Sequence, residues 1–465
     1  MNNTVIIKGR TIKYNNKQIS LDDLMTIDFY EYMENIAPEY DSGHIFDNVV
    51  YLNFVLNIYA YIYFFRKNSI NNVIVEETED SIKDYVYDAA RLLDIRIEKR
   101  YSKRYHSWTS RLILCAVFMY MFFQQICIKW EKRDLDRNKD IAVLRTPAAK
   151  KKIRASEERE ILCEESIAKG SLYSFSSRMK RFFYLISSFG YAVGNLREAE
   201  KYCDKHGLYE SKKEIISFLR LRLLPVSFYR QNLEGILSLK WNKDFITGNN
   251  LDMYAMVEEE CARKYGIRMV CIPHGLEYGF RFPHCFTGDY FYSTSINAEK
   301  YFNKKYRTEK FHFDPYMAKE MFSLNIARNR EKPRKIVYFT EPREPHVNIE
   351  ILRPLVKQLC NYGYKLYIKH HPKDNMADYE EFNGEIEEIQ ELSEAIVGNI
   401  CIARKSTVLL EGLYNDALCA AIVINEKDNA LFRMFPSLMD DKIQQFHSIE
   451  ELTKWIYETN KQECE

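Results

Sequence analysis

Three stretches decide the fold of this 465-residue chain: KIVYFTEPRE (335–344), KLYIKHHPKD (365–374) and NICIARKSTVLLEG (399–412). Each contains a short apolar run and ends in polar loop residues. Runs of this length without alternation fit strands of a parallel sheet buried on both faces. The predicted strands are Lys335–Thr340, Lys365–His370, Asn399–Ala403 and, further on, Ala420–Ile424. Helix-period segments at His346–Tyr362 and Thr407–Asn415 lie between them. Strand, helix, strand in this order predicts βαβ units and a Rossmann-like domain over residues 329–465.

Upstream of it, Arg328–Arg334 (RNREKPR) is charged, contains Pro333 and has no apolar face, so it reads as a linker. Ahead of the linker the same rhythm recurs. Asp244–Thr247, Arg268–Ile272 and Asp289–Ser293 read as strands, and Asp252–Tyr265 as a helix stopped by Gly266. Residues 1–328 therefore form a second Rossmann-like domain with helical insertions. The fold class is α/β, with two such domains facing a cleft where open α/β sheets bind ligands.

The N-terminal part gives coarser signals. The first twenty residues alternate weakly around Asn15-Asn16 and fit a hairpin. Asn48–Phe65 reads as helix, Asn72–Val75 as a strand, Ser81–Leu93 as a helix and Asp140–Leu144 as a strand. Glu157–Ser187 and Asn195–Leu224 read as largely helical. Leu112–Phe123 is a run of twelve apolar residues, interrupted by Gln124-Gln125. It is too short for a membrane span by the usual eighteen or so residues. It fits a helix buried in a domain core, or a helix resting on a membrane surface beside Lys103, Arg104, Arg111, Lys129 and Lys132.

Composition removes several function classes. Lys and Arg total 67 against 66 Asp and Glu, which argues against a duplex-DNA binder working by bulk charge. With 46% hydrophobic residues the chain is globular. Eleven scattered cysteines form no CxxC pair and read as reduced thiols of a cytosolic protein, without zinc-site spacing. The start, MNNTVIIKGR, lacks the apolar core of an export signal.

The chemistry concentrates in loops that follow predicted strands. Ser406 and Thr407 stand where a helix begins, so they can cap it, and the helix end suits a phosphate. Glu411, one turn on, can accept hydrogen bonds from ribose hydroxyls. His371 before Pro372 fixes a rigid turn in which an imidazole can donate to a phosphate, with Lys369 and Lys373 adding charge. Arg404 and Lys405 precede Ser406 and can offset phosphate charge. Glu341 can contact base or ribose, or cap the next helix. In the first domain Pro273-His274-Gly275-Leu276-Glu277 follows a strand. His274 suits proton abstraction near neutral pH, with Glu277, Glu76 and Glu77 as further base candidates. Asp134-Leu135-Asp136 has metal-binding spacing but sits in a charged run, and no metal ligand or cofactor is assigned.

His371-Pro372 and Ser406-Thr407, in this order after successive strands, resemble the His-Pro and Ser/Thr motifs of inverting GT-B glycosyltransferases that build bacterial surface polysaccharides. The resemblance is closest to bacterial sialyltransferases and polysialyltransferases, in which both motifs bind the donor nucleotide. It covers about residues 240–460 in layout. The acidic-acidic-Gly motif of those enzymes has no clean copy here, and Leu276-Glu277-Tyr278-Gly279 is only loosely similar. Pro273-His274-Gly275 is similar to the His-Gly of teichoic-acid glycerophosphotransferases.

The resemblance implies a metal-independent inverting glycosyltransferase, with a CMP-sugar such as a sialic-acid donor favoured. The acceptor would be a capsule, O-antigen or lipooligosaccharide glycan carried on a lipid. The enzyme would be cytoplasmic, peripheral at the inner face of the cell membrane. Three alternatives stand beside it: a CDP-activated polyol-phosphate transferase, a nucleotide-sugar epimerase, and a non-catalytic glycan- or nucleotide-binding subunit of a capsule assembly complex.

Overall fold

The computed structural model describes residues 3–76, 79–97, 107–127, 140–144, 159–163, 171–239, 244–248, 251–273, 275–324, 326, 333–342 and 344–464. The chain divides into two compact units. One comprises residues 1–274 and 280–292, the other 275–279 and 293–465. The chain passes into the second unit after Tyr292, ahead of the 328/329 boundary expected from the charged linker, which lies mostly outside the described residues.

The first unit carries two sheets where one was expected. The N-terminal sheet is formed by β1 (Thr4–Lys8), β2 (Thr11–Tyr14), β3 (Lys17–Ser20), β4 (Asn72–Val75) and β5 (Arg96–Ile97), in the order β3-β2-β1-β4-β5. β2 and β3 are the predicted hairpin. Asn15 and Asn16 turn it with φ of 49° and 60°, a left-handed pair that asparagine tolerates and a two-residue hairpin turn requires. β4 lies parallel to β1 and to β5, and the helix Asp80–Leu92 makes the crossover to β5. The helical run from Asp47 to Lys67 contains one π turn, Tyr51–Val55, and is two-thirds buried, as a core helix should be.

The second sheet includes β6 (Asp140–Leu144), β7 (Arg159–Cys163), β8 (Phe245–Thr247), β9 (Met269–Cys271) and β10 (Tyr290–Tyr292), in the order β10-β9-β8-β6-β7. All these pairings are parallel. β7 corrects the helical expectation for 157–187. Glu and Ala around it favour helix locally, but five residues align in register with β6, and tertiary pairing overrides weak propensity. The helix starts later, as Arg178–Lys205, with Ser177 capping Lys180.

Asp84, on the crossover helix, faces the acidic groups Glu214, Glu210 and Asp88. Burial first, then these neighbours, push its carboxyl up to about 7, with Lys213 pulling back. Its folded pKa is therefore raised above the ordinary ~3.9. The stability it contributes is present below about pH 4 and is lost as pH rises through its folded value. We expect Asp84→Asn to flatten the pH dependence of Tm between about pH 4 and 7. Thermal melts of both proteins at matched ionic strength check this; parallel slopes would refute it.

The second unit follows the predicted pattern closely. Beyond β11 (Phe311–His312), its sheet comprises β12 (Ile336–Phe339), β13 (Leu366–Lys369), β14 (Glu387–Glu388), β15 (Ile400–Ala403), β16 (Leu418–Ile422) and β17 (Ile443–Phe446). The order is β14-β13-β12-β15-β16-β17, parallel throughout. Every residue of β12 and β15 is buried, which is why they read as unbroken apolar runs. Ile351 and Leu355 of the helix Pro345–Asn361 and Leu452 and Ile456 of the helix Ile449–Cys464 pack in the sheet's core. The strand order reverses between β12 and β15, so the loops after these two strands frame a topological switch point, where open α/β sheets bind ligands.

Candidate functional site

Three loops carrying nominated residues meet at the carboxyl edge of the second unit's sheet. The first leaves β12 at Thr340. The buried Thr340 hydroxyl accepts the His371 N–H at 2.9 Å, joining the β12 and β13 loops. Buried Asn348 holds the same turn: its amide donates to the Glu341 carbonyl at 2.9 Å and to the Tyr379 hydroxyl at 2.8 Å, and accepts from Tyr338 at 3.0 Å. Tyr379 donates on to Asp374 at 2.8 Å. A fully satisfied buried network of this kind fixes loop positions.

His371 has its Nδ1 accepting the Lys373 N–H at 3.1 Å. A neutral ring so held carries its proton on Nε2, which makes that nitrogen a donor. Pro372 and Lys373 are exposed. Lys369 turns elsewhere, donating to the Gln390 carbonyl at 2.8 Å. His370, beside it, lies against Tyr379 with ring centroids 4.8 Å apart, and burial lowers its pKa. A cavity of about 280 Å³ opens past His370, walled by Ile368, Tyr379 and Phe382 among others, and none of the nominated side chains lines it.

The loop after β15 is anchored by charge. Arg404 is fully buried. Its Nε and Nη2 meet Asp428 at 2.5 and 2.8 Å, and Nη2 also meets Glu344 at 2.6 Å. Lys405 Nζ reaches Asp428 at 2.5 Å and Glu341 at 3.0 Å, while its N–H donates to Glu341 at 2.7 Å. Lys427 closes the cluster on Glu344 at 2.5 Å. Burial alone would raise the Glu344 carboxyl, but Lys405, Lys427 and Arg404 outweigh it and hold it far below the ordinary range. Asp428 is likewise held down by Lys405 and Arg404 against the pull of burial. Three cations and three carboxylates thus compensate one another. Arg404, Lys405 and Glu341, nominated for ligand contact, are committed to this scaffold.

Ser406 and Thr407 follow directly and are half-buried. Thr407 stands at the N-cap of the six-residue helix Val408–Leu413, yet its side chain makes no capping hydrogen bond. The Ser406 hydroxyl accepts the Val408 N–H at a long 3.4 Å. The expected cap is therefore weak and leaves the hydroxyls little used by the helix. Gly275 packs over this point: a Cβ there would stand 3.3 Å from Thr407 Oγ1. Glu411 lies in the short helix, half-buried, with its carbonyl accepting from Asn415 at 2.6 Å.

Of the base candidates, His274 and Glu77 lie outside the described residues. Glu76 is exposed at the end of β4, in the N-terminal sheet, whereas the Pro273–Glu277 loop follows β9 of the other. Glu277 is 1% exposed and its oxygens accept from the Thr294 N–H, the Thr294 hydroxyl and the Ser437 hydroxyl at 2.7, 2.6 and 2.8 Å. Burial pushes its carboxyl up, with Thr294 and Ser437 pulling back. A carboxylate so enclosed is an anchor for its segment, and lacks the open approach to a substrate hydroxyl that a general base needs. Elsewhere, in the first unit, Asp41, Asp47 and His284 bring three ligand-type atoms within 4.8 Å. Asp47 there already accepts two N–H groups and a hydroxyl from Ser42 and His44, so the group is explained as an ion pair around His284.

Sequence reasoning did not foresee Asp428, Glu344 or Thr340 as organisers. The signal for Asp428 was present in Asn425-Glu426-Lys427-Asp428, an N-capped helix start after β16, but nothing in it named Arg404 as partner.

The fold and this edge define the class: an α/β chain with Rossmann-like parallel sheets and polar loops at one strand-order reversal. No family model matches the sequence, and no curated protein matches it. Among solved structures it is similar to MnaA of S. aureus, determined with UDP, at 13% identity and a TM-score of 0.36 over 69% of this chain and 97% of that one. It is also similar to UDP-N-acetylglucosamine 2-epimerase from Rickettsia bellii, at 11% identity and a TM-score of 0.31 over 51% of this chain and 77% of that one. Likenesses this slight carry no functional argument.

Proposed function

We propose that this protein is a nucleotide-sugar-dependent glycosyltransferase that holds the donor phosphate between the His371-Pro372 turn and the Ser406-Thr407 loop. The observation that carries it is the shared edge: both loops leave strands of one parallel sheet at its carboxyl edge, the first after β13 and the second after β15 beside the switch point, and the Thr407 side chain caps no helix N–H. Inversion would follow from attack by an acceptor hydroxyl opposite the leaving phosphate. His274 is the proton acceptor favoured by sequence. The donors of the second unit would disperse charge on the departing nucleotide.

Charge favours a CMP-sugar over a diphosphate donor. Arg404, Lys405 and Lys427 are already neutralised by Glu341, Glu344 and Asp428, so the phosphate would rest chiefly on neutral donors. A phosphodiester with one charge needs less compensation than a diphosphate with two. The acceptor we infer is a surface glycan carried on lipid.

A thermal-shift panel of CMP, CDP, UDP, UMP and GDP tests this, because stabilisation reports an occupied folded-state site. CMP should raise Tm most. Ser406→Ala and His371→Ala should each weaken the apparent affinity by roughly tenfold to a hundredfold, the worth of one hydrogen bond to a charged group. A shift confined to CDP would support polyol-phosphate transfer, and one confined to UDP a hexose-type donor or an epimerase. Absence of any shift at millimolar nucleotide would remove the donor site.

A further inference from the structure

We propose that the paired helices Ser107–Cys127 and Arg178–Lys205 form a docking face for a membrane surface rich in anionic lipid. The first helix is built inside out for a water-soluble protein. Its buried stripe contains Ser110, Leu114, Met121 and Gln125, two of them polar. Gln125 is fully buried with neither amide atom hydrogen-bonded among the described residues. The opposite stripe is the more apolar one: Trp108, Leu112, Met119, Phe123 and Ile126 are 43–61% exposed, with Tyr120 beside them at 65%. Only 22% of the window Trp108–Cys127 is buried. A helix in water turns its polar side outward, so this distribution calls for an apolar phase outside.

The second helix extends the same face. Arg178 donates to the Ile126 carbonyl at 2.7 Å, Phe122 meets Phe182 at 5.2 Å and Phe118 meets Phe189 at 5.0 Å. Residue numbers rise on one helix as they fall on the other, so the pair is antiparallel. On each helix these contact positions lie between the buried and the exposed stripe, which opens both exposed stripes to one side. Met179, Phe183 and Ile186 stand there at 70, 64 and 58% exposure. These nine large apolar side chains present on the order of 1,000 Å² of surface, well above the few hundred Å² a typical monomer shows.

Charge selects the occupant. The sequence holds no acidic residue in 107–127 or 178–197, whereas Arg111, Arg178, Lys180 and Arg197 are exposed. A protein partner or second copy would leave this one-signed rim to be compensated, while anionic headgroups supply the opposite charge over the whole plane. Trp108 and Tyr120 suit the headgroup level, where ring and polar edge are both satisfied. The arrangement fits a face lying in the interface, with apolar side chains below and basic groups among the headgroups. This inference stands on the first unit alone and is independent of the nucleotide assignment.

The test is co-sedimentation of the full chain with vesicles of phosphatidylglycerol and phosphatidylcholine, and with phosphatidylcholine alone. The chain should pellet with the anionic vesicles, less so as salt is raised. Phe123→Glu combined with Phe183→Glu should cut the bound fraction by about tenfold or more. Arg111→Glu with Lys180→Glu should do so through charge. Tyr120→Glu is the single-site variant if a double variant melts early. Equal binding to neutral vesicles would overturn the anionic preference. No pelleting with either vesicle, or a dimer in size-exclusion chromatography that Phe123→Glu and Phe183→Glu dissolve without any vesicle binding, would overturn the membrane assignment.

Discussion

Asp428→Ala should destabilise the second unit by about 3–5 kcal/mol, the cost of leaving a buried cation without its counter-charge. Asp428 is fully buried and its two oxygens carry Arg404 and part of Lys405. Removing it leaves three cations facing only Glu341 and Glu344, with the Arg404 guanidinium still buried. At about 2–4 °C per kcal/mol for a unit of this size, Tm should fall by roughly 6–20 °C. Arg353→Ala is the control. Its pair with Glu381 is 66% and 41% exposed, so its loss should cost under about 1 kcal/mol. The pH signature has a definite sign. Asp428 and Glu344 have depressed folded pKa values, so their contribution is present above the unfolded value near 4 and is lost as pH falls toward the folded one. Asp428→Ala should therefore also lessen the loss of stability below about pH 4, measurable by denaturant titration at several acid pH values. A variant as stable as the parent would mean that the cluster is held together without this carboxylate.

Glu277→Ala carries the second large effect. It strands a buried N–H and two buried hydroxyls, each worth about 1–3 kcal/mol when unsatisfied, and opens a cavity. A net cost of about 3–5 kcal/mol follows once the two hydroxyls, already 2.5 Å apart, bond to one another. Glu277→Gln should cost far less, because its amide oxygen still accepts from Thr294 and the hydroxyls can rotate to meet the new donor. The pair of variants separates anchor from catalyst. An anchor predicts that Gln keeps most nucleotide binding and turnover while Ala loses stability. A general base predicts the reverse for Gln, with Tm kept and turnover abolished.

The loops at this sheet edge were largely visible in the sequence, and the partners of their charged side chains were not. His371-Pro372 and Ser406-Thr407 could be placed at one sheet edge because the apolar runs before them are unbroken, which happens where a strand is buried on both faces. Arg404 and Lys405 looked like phosphate ligands for the same reason. Their neutralisation by Asp428, more than twenty residues on, depended on how β16 and the helix Glu426–Arg433 settle beside β15. Sequence shows a charge and leaves open what it faces. Glu277 was nominated from a loose motif, and its enclosure by Thr294 and Ser437 is a matter of contacts 17 and 160 residues apart. The N-terminal sheet escaped notice because β1 pairs with β4 across nearly seventy residues, and strands of two to five residues give little periodicity to read.

Local pattern alone determined that this chain is α/β, that its C-terminal part is a parallel βαβ array, and which loops crown it. Those properties follow from periodicity and strand burial, which act over a few residues. Tertiary structure decided which charges are spent on one another, that Glu277 is enclosed, and that the apolar helix Ser107–Cys127 turns its greasier face outward. Those outcomes depend on what packs against each side chain, and burial sets the strength of a charge or the cost of an apolar face only once the neighbours are in place.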